Sequence, residues 1–164
     1  MEFTVAQDPR SPASDADIQE WRARLSEVST LMNDILTNLH DLRVARGQID
    51  SLMSDHPDDA GLHSMGEAAV SEIGAWESRI TQLKHETYED EDAWETMLAG
   101  QLSFLMDVID RTGAPVTDGA MTRLADLKAE WQTRQEELRR ISDERIDPIN
   151  MWAQQQGVDH VRVP

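Results

Sequence analysis

Apolar residues recur in steps of three and four from Asp17 to Met53. Ile18, Leu25, Met32, Leu39 and Met53 share one row at intervals of seven. Trp21, Val28, Ile35, Leu42 and Ile49 form a second row, each three residues further on. At 3.6 residues per turn the two rows lie on one side of a helix. Only Arg46 interrupts the first row. The spacing therefore predicts one long amphipathic helix, opened by Ser14 or Asp15 as cap, with Asp17 and Glu20 at the positive end of its dipole. So long a stripe cannot remain in water, and one short partner cannot cover it. The chain must fold back on it.

Three further helices follow from the same pattern. Ser54-Asp55-His56-Pro57-Asp58-Asp59 supplies a turn. A second helix is then predicted over Asp59 to Glu86, with Leu62, Met65, Ala69, Ile73, Trp76, Ile80 and Leu83 inward. Gly47 costs the first helix about 1 kcal/mol relative to alanine and allows a local bend, and Gly66 and Gly74 weaken the second or admit a close neighbour. An acidic connection around Tyr88 leads to a third helix, Asp92 to Arg111. Its apolar residues, Trp94, Met97, Leu98, Leu102, Phe104, Leu105, Met106, Val108 and Ile109, cover more than half its circumference, so it should be the most buried. Gly113 and Pro115 stop it. The fourth helix runs from a cap at Thr117 or Asp118 to about Arg145, with Met121, Leu124, Leu127, Trp131, Leu138 and Ile141 inward. Pro148 lacks an amide proton, so a kink or restart is expected there, with Asp147 as cap and a last stretch ended by Gly157.

The expected architecture is all-α: an antiparallel up-down-up-down four-helix bundle with two long outer helices and a short N-terminal extended segment. Residues 1–13 read as a strand remnant (Glu2 to Ala6) and a linker containing Pro9 and Pro12. Residues 14–157 form the bundle, and 158–164 an extended tail that could be a second orphan strand. At 1.5 Å per residue the first and fourth helices would span roughly 55 Å, the second about 40 Å and the third about 30 Å. The long pair should then project past the short pair and leave an overhang of Ile18, Trp21 and Leu25 facing Ile141, Ile149 and Trp152. Two helices alone cannot cover two tryptophans. Either the Tyr88 connection folds over them or another domain docks there. Ile18, Trp21, Leu25, Ile149 and Trp152 are thus the candidate docking surface.

Composition narrows function mainly by exclusion. The 164 residues suit one domain with a sizeable core, and the formal net charge of -17 argues against nucleic acid and anionic membranes. There is no cysteine, hence no disulfide or thiolate chemistry and no Cys-x-x-Cys-His haem site. No apolar run approaches the ~20 residues of a membrane span. Met1 to Val5 lacks a positive or apolar leader region, which means cytoplasm if Met1 is the natural start. Bundles can hold two metals through inward glutamates and Glu-x-x-His pairs. Here the residues three before His40, His56, His63, His85 and His160 are Thr37, Met53, Ala60, Gln82 and Gly157. Glu89-Asp90-Glu91-Asp92 lacks the glycine of a calcium loop, since Trp94 or Glu95 stands at the sixth position. His40-Asp41 and His85-Glu86 diverge around their helix axes and make no relay. Arg46 either snorkels or pairs with an acid of a facing helix such as Glu67 or Asp126. The five tryptophans fall at seam spacing and read as core. No metal, cofactor or catalytic residue is assigned.

The order of parts resembles a known arrangement. Phe3-Thr4-Val5 followed by Asp8-Pro9-Arg10 and the helix start Ser14-Asp15-Ala16-Asp17 is similar to the C-terminal region of secreted bacterial sortilin-like proteins. These carry Asp-box (BNR repeat) β-propellers and are often labelled glycosyl hydrolases. Gly113, Pro115 and Thr117 stand at that family's Gly-x-Pro-Thr turn; Leu124, Leu127, Trp131, Leu138 and Ile141 follow its helix spacing. Ile146, Asn150, Gly157 and Val158 fit its closing pattern. Pro148 and the Glu86–Asp92 connection depart from it. The resemblance implies a non-catalytic accessory bundle, a clasp or spacer beside a β-propeller or β-sandwich domain of the same polypeptide. It also implies an extracellular or periplasmic location and no active-site residue in this stretch. A free-standing acidic helical module that grips a partner helix is the alternative.

Trp131→Ala should cost about 3–5 kcal/mol, the penalty for deleting a large core side chain. Trp21→Ala should cost much less if its cover is missing; equal losses in urea melts would show the overhang closed.

Overall fold

The computed structural model describes residues 10–84, 86–87, 89–90 and 93–162. The expected strand at Glu2 to Ala6 and the Tyr88 side chain lie outside the described residues. Among those described, the protein is all-helical. Helix α1 spans Asp15–Asp55, α2 Ala60–Ile80, α3 Leu98–Thr112 and α4 Asp118–Ile141; a π-helical turn, Ser142–Ile146, carries α4 into α5, Asp147–Gln156.

The helix ends have local causes. The Ser14 hydroxyl accepts from the Asp17 amide (3.2 Å) while the Asp17 carboxylate accepts from the Ser14 amide (2.7 Å), so two otherwise orphaned donors are satisfied at once. Asp59 caps α2 through the Leu62 amide and Thr117 caps α4 through the Ala120 amide. Gly157, at φ 72°, closes α5 in the left-handed conformation, with the Val158 amide donating back to the Ala153 carbonyl.

Pairings between helices fix the direction of each. Gly66 lies against Ile49 and Met53, whereas Glu77 bonds Arg46 and Arg43, so α2 runs antiparallel to the C-terminal half of α1. The Nε1–H of Trp21 donates to the Ile109 carbonyl (2.9 Å), and Arg123 reaches Gln101 while Lys128 reaches Glu27. The far end of α3 therefore stands at the start of α1. Glu27 meets Lys128 near one end and His56 meets Trp152 near the other, so α4 and α5 run in the same direction as α1.

The expected antiparallel up-down-up-down order is therefore corrected. α2 and α3 follow one another down α1, and α4–α5 returns beside both. The physical reason is the length of the stripe. α1 has 41 residues and spans about 60 Å, while α2 has 21, so a second helix must cover what α2 leaves bare. The buried seam is continuous: Val28, Ile35, Leu39, Leu42, Ala45 and Ile49 of α1 meet Ile73 and Trp76 of α2, Leu102 and Ile109 of α3, and Leu124, Leu127 and Trp131 of α4 in one core. Trp76 and Trp131 pack with ring centroids 6.3 Å apart, and the Trp76 Nε1–H finds the Arg134 carbonyl at 2.9 Å.

Other boundaries also shift. α2 ends at Ile80 rather than Glu86, with Thr81 extended, and α3 starts at Leu98 rather than Asp92. Leu83 and Trp94 consequently lie outside the helices and are exposed, Lys84 sitting 4.4 Å from the centre of the Trp94 ring. α3 is not the most buried helix. It packs chiefly between α1 and α4, and its outer face leaves Phe104 70% exposed.

The restart near Pro148 occurs as a π turn. The Asp147 amide reaches back five residues to the Ser142 carbonyl, and the Glu144 carbonyl that Pro148 cannot serve lies 3.4 Å from the Arg145 guanidinium. Asp147 is not the cap; α5 has no side-chain cap, and Pro148 sits in its first turn. The tail from Val158 to Arg162 is in neither helix nor strand. It lies against the bundle with Val161 buried.

The glycines give opposite expectations. A Cβ at Gly47 would meet nothing within 4 Å, whereas one at Gly66 would clash with Met53 Sδ and stand 3.3 Å from Ile49 Cγ2. Gly47→Ala should stabilise by about 0.5–1 kcal/mol through helix propensity alone. Gly66→Ala should destabilise, because α1 and α2 must separate or Met53 must repack. Chemical denaturation of both variants checks the contrast.

Candidate functional site

The proposed docking residues divide between the two ends of the molecule. Ile18, Trp21 and Leu25 lie half-buried at the start of α1, where Trp21 is tied to the end of α3. Ile149 is fully buried in α5, and Trp152 is half-buried beside the α1–α2 turn. The overhang does not exist as expected, because α1 and α4 are parallel and their tryptophans are covered separately. Trp21 has a hydrogen-bonded partner on α3, so the cost of truncating it moves closer to that of Trp131.

Trp152 sits in the more elaborate polar cluster. Its Nε1–H donates to Asp59 Oδ2 at 2.9 Å, and the His56 ring meets its face edge-on, centroids 5.0 Å apart and planes at 78°. Asp59 Oδ1 accepts from the Leu62 amide at 2.8 Å. One carboxylate thus caps α2 and holds α5 to the α1–α2 turn. The Leu62 amide, then the Trp152 indole, stabilises the ionised form and holds the Asp59 carboxyl below its ordinary value.

A second cluster fixes the register of α1 on α2. Glu77 is 3% exposed, and its two oxygens take Arg43 at 2.6 Å and Arg46 at 3.0 Å. Arg46 therefore does pair across helices, with Glu77 rather than Glu67 or Asp126, both of which are exposed. The sequence carried a signal for this residue: Glu77 stands four positions after Ile73, inside the apolar face of α2. Arg145 makes a comparable tie to Glu72 at 2.6 Å, from the π turn to α2. Near the start of α1, Glu27 is shared by Lys128 and Arg24, which hold its carboxyl below the ordinary range.

The clefts are shallow. One, of about 530 Å³, lies between the C-terminal turn of α1 (Gln48, Ser51, Leu52, Asp55, His56) and the tail from Gly157 to Val161. Another, of about 520 Å³, is lined by Asp55 to Ala60 at the α1–α2 turn. Among the described residues no group of three or more histidine, aspartate or glutamate side chains is placed to hold a metal ion, and no helix is long and apolar enough to cross a membrane. The side-chain amides of Asn150 and Gln48 hold the tail. Nothing in their spacing marks them, since the partner backbone is distant along the chain.

No protein family, curated protein or solved structure matches this chain.

Acid stability follows from the lowered carboxyls. Asp17, held down by Ser14, Glu27, by Lys128, and Asp59, by the Leu62 amide, all bind their protons less readily when folded. Their contribution is complete above the unfolded value of about 4 and is lost as pH falls through the folded values. Melting temperature should therefore drop below about pH 4, and Asp59→Asn should make that drop shallower. Thermal melts from pH 6 to 2.5 read both; a rise in melting temperature on acidification would contradict the assignment.

Proposed function

We propose that this chain is a non-catalytic structural and interaction module, the helical accessory region of a larger secreted protein. In that reading its partner is a β-propeller or β-sandwich domain of the same polypeptide, as the resemblance to sortilin-like Asp-box proteins implies. The observation that carries the non-catalytic part is how the polar groups between helices are used. Glu77, Asp59, Glu72 and the indoles of Trp21, Trp76 and Trp152 each tie one helix to another. Asp59 shares the shallow cleft at the α1–α2 turn with His56, but its two oxygens are taken by the Leu62 amide and the Trp152 indole, which supports a structural rather than an acid–base use.

Of the two accessory roles, a spacer fits better than a clasp. Ser14 opens α1 at one end and Gly157 closes α5 at the other, about 60 Å away along parallel helices. A domain joined before Ser14 is thereby held away from whatever meets α5. One observation favours the alternative of an acidic protein-binding module: Phe104, on α3, is a large apolar side chain left 70% exposed.

The reading frame upstream of Met1 tests the proposal. A propeller encoded in frame is the expected result, and an in-frame stop codon directly before Met1 would overturn it. Metal analysis of the purified protein adds an independent check, since a stoichiometric transition metal would refute the non-catalytic part.

A further inference from the structure

The tail beyond Gly157 is held in an unusual way for a helical protein. Asn150, on α5, uses its amide as a strand would use its backbone: Oδ1 accepts from the Val161 amide at 2.7 Å and Nδ2 donates to the Val161 carbonyl at 3.0 Å. Gln48, on α1, accepts from the Arg162 amide at 2.9 Å through Oε1. Val161 itself is 2% exposed, while Asp159, His160 and Arg162 on either side are exposed. Recognition thus reads one β-branched side chain and the main chain around it.

We propose that Asn150, Gln48 and the Val161 pocket form a receptor for an extended peptide segment, which the chain's own tail occupies as an intramolecular ligand. Three observations support exchange rather than permanent closure. First, main-chain readout plus one apolar anchor is the logic of strand-type peptide recognition, and it accepts any segment with a β-branched residue at the anchor position. Second, Val161 is the one buried side chain between Gly157 and Arg162, and a cleft of about 530 Å³ lies beside the tail, between it and the C-terminal turn of α1. A segment with few apolar contacts opens at a small fraction of the global unfolding free energy. Third, Gly157 in its left-handed conformation gives the tail a pivot at the end of α5 that does not disturb the helix. The net charge of -17 selects for a segment that is basic or neutral, and the tail itself follows its anchor with Arg162. The occupant in trans is accordingly an extended segment of the form valine-then-basic residue. The proposal does not depend on the spacer reading, because the site is complete within this chain.

The test uses the 164-residue chain and a synthetic peptide of residues 157–164 as the probe. Val161→Asp removes the anchor of the resident tail and leaves the receptor intact. The variant should bind the peptide saturably at millimolar concentration, with backbone amide shifts confined to the α1 C-terminal turn and α5. Wild type should bind at least tenfold more weakly, because its own tail competes at high effective concentration. Adding Asn150→Leu to Val161→Asp should abolish binding without loss of helical circular dichroism. Absence of saturable binding to Val161→Asp would overturn the proposal, as would equal binding by the Asn150→Leu double variant. Loss of helicity in Val161→Asp would overturn it too, since the tail would then be a fixed part of the core. Hydrogen exchange on wild type gives a second reading. The Val161 and Arg162 amides should exchange faster than those of α1 and α5; protection equal to the helical core would also overturn it.

Discussion

The structure depends on a mismatch of lengths. α1 exposes an apolar stripe along about 60 Å, and the turn at His56 to Asp59 commits the chain to a return helix of only 21 residues. Water tolerates the uncovered half poorly, since each large apolar side chain left exposed forgoes about 1.5–3 kcal/mol. α3 resolves the mismatch by taking up the same face where α2 leaves it. α4 and α5 then close the third side over the whole length, and the break between α2 and α3 stays on the outside. Leu83 and Trp94 are exposed for that reason.

Charged and polar ties then choose one arrangement among the many that burial alone would allow. An apolar seam with a heptad repeat permits sliding by a turn. Glu77 accepts from Arg43 and Arg46 at one level only, and a shifted register would leave a buried carboxylate without a partner. Asp59 performs the same office at the α1–α2 turn, and Arg145 at the π turn. These are the residues that a search for chemistry would single out, and their geometry gives them structural work. The same economy fits the absence of a metal cluster among the described residues: Glu77 is engaged by Arg43 and Arg46, and Asp59 by an indole and a helix amide.

Two features break the regular pattern, and both lie near the C-terminal end. Pro148 cannot complete the α-helical ladder, and the π turn absorbs the fault while aiming Arg145 at Glu72. Beyond Gly157 the chain abandons helix and is held by side-chain amides in place of strand neighbours. A segment held by so few groups is the part of the fold most able to be exchanged for another.

Local spacing determined much of this protein. The helical class, the inward residues of α1 and α4, the caps at Ser14 and Thr117, the restart at Pro148 and the stop at Gly157 are all legible, because each depends on residues within one or two turns. The direction of the helices was not. Whether α3 reverses beside α2 or continues along α1 depends on which bare surface is left over, and that is a property of the assembled set. The choice of Glu77 for Arg46, the separation of Trp21 from Trp152, and the reading of Val161 by Asn150 were likewise decided only in three dimensions. Partners separated by tens of residues leave no periodic trace, since what unites them is a shared level along the bundle.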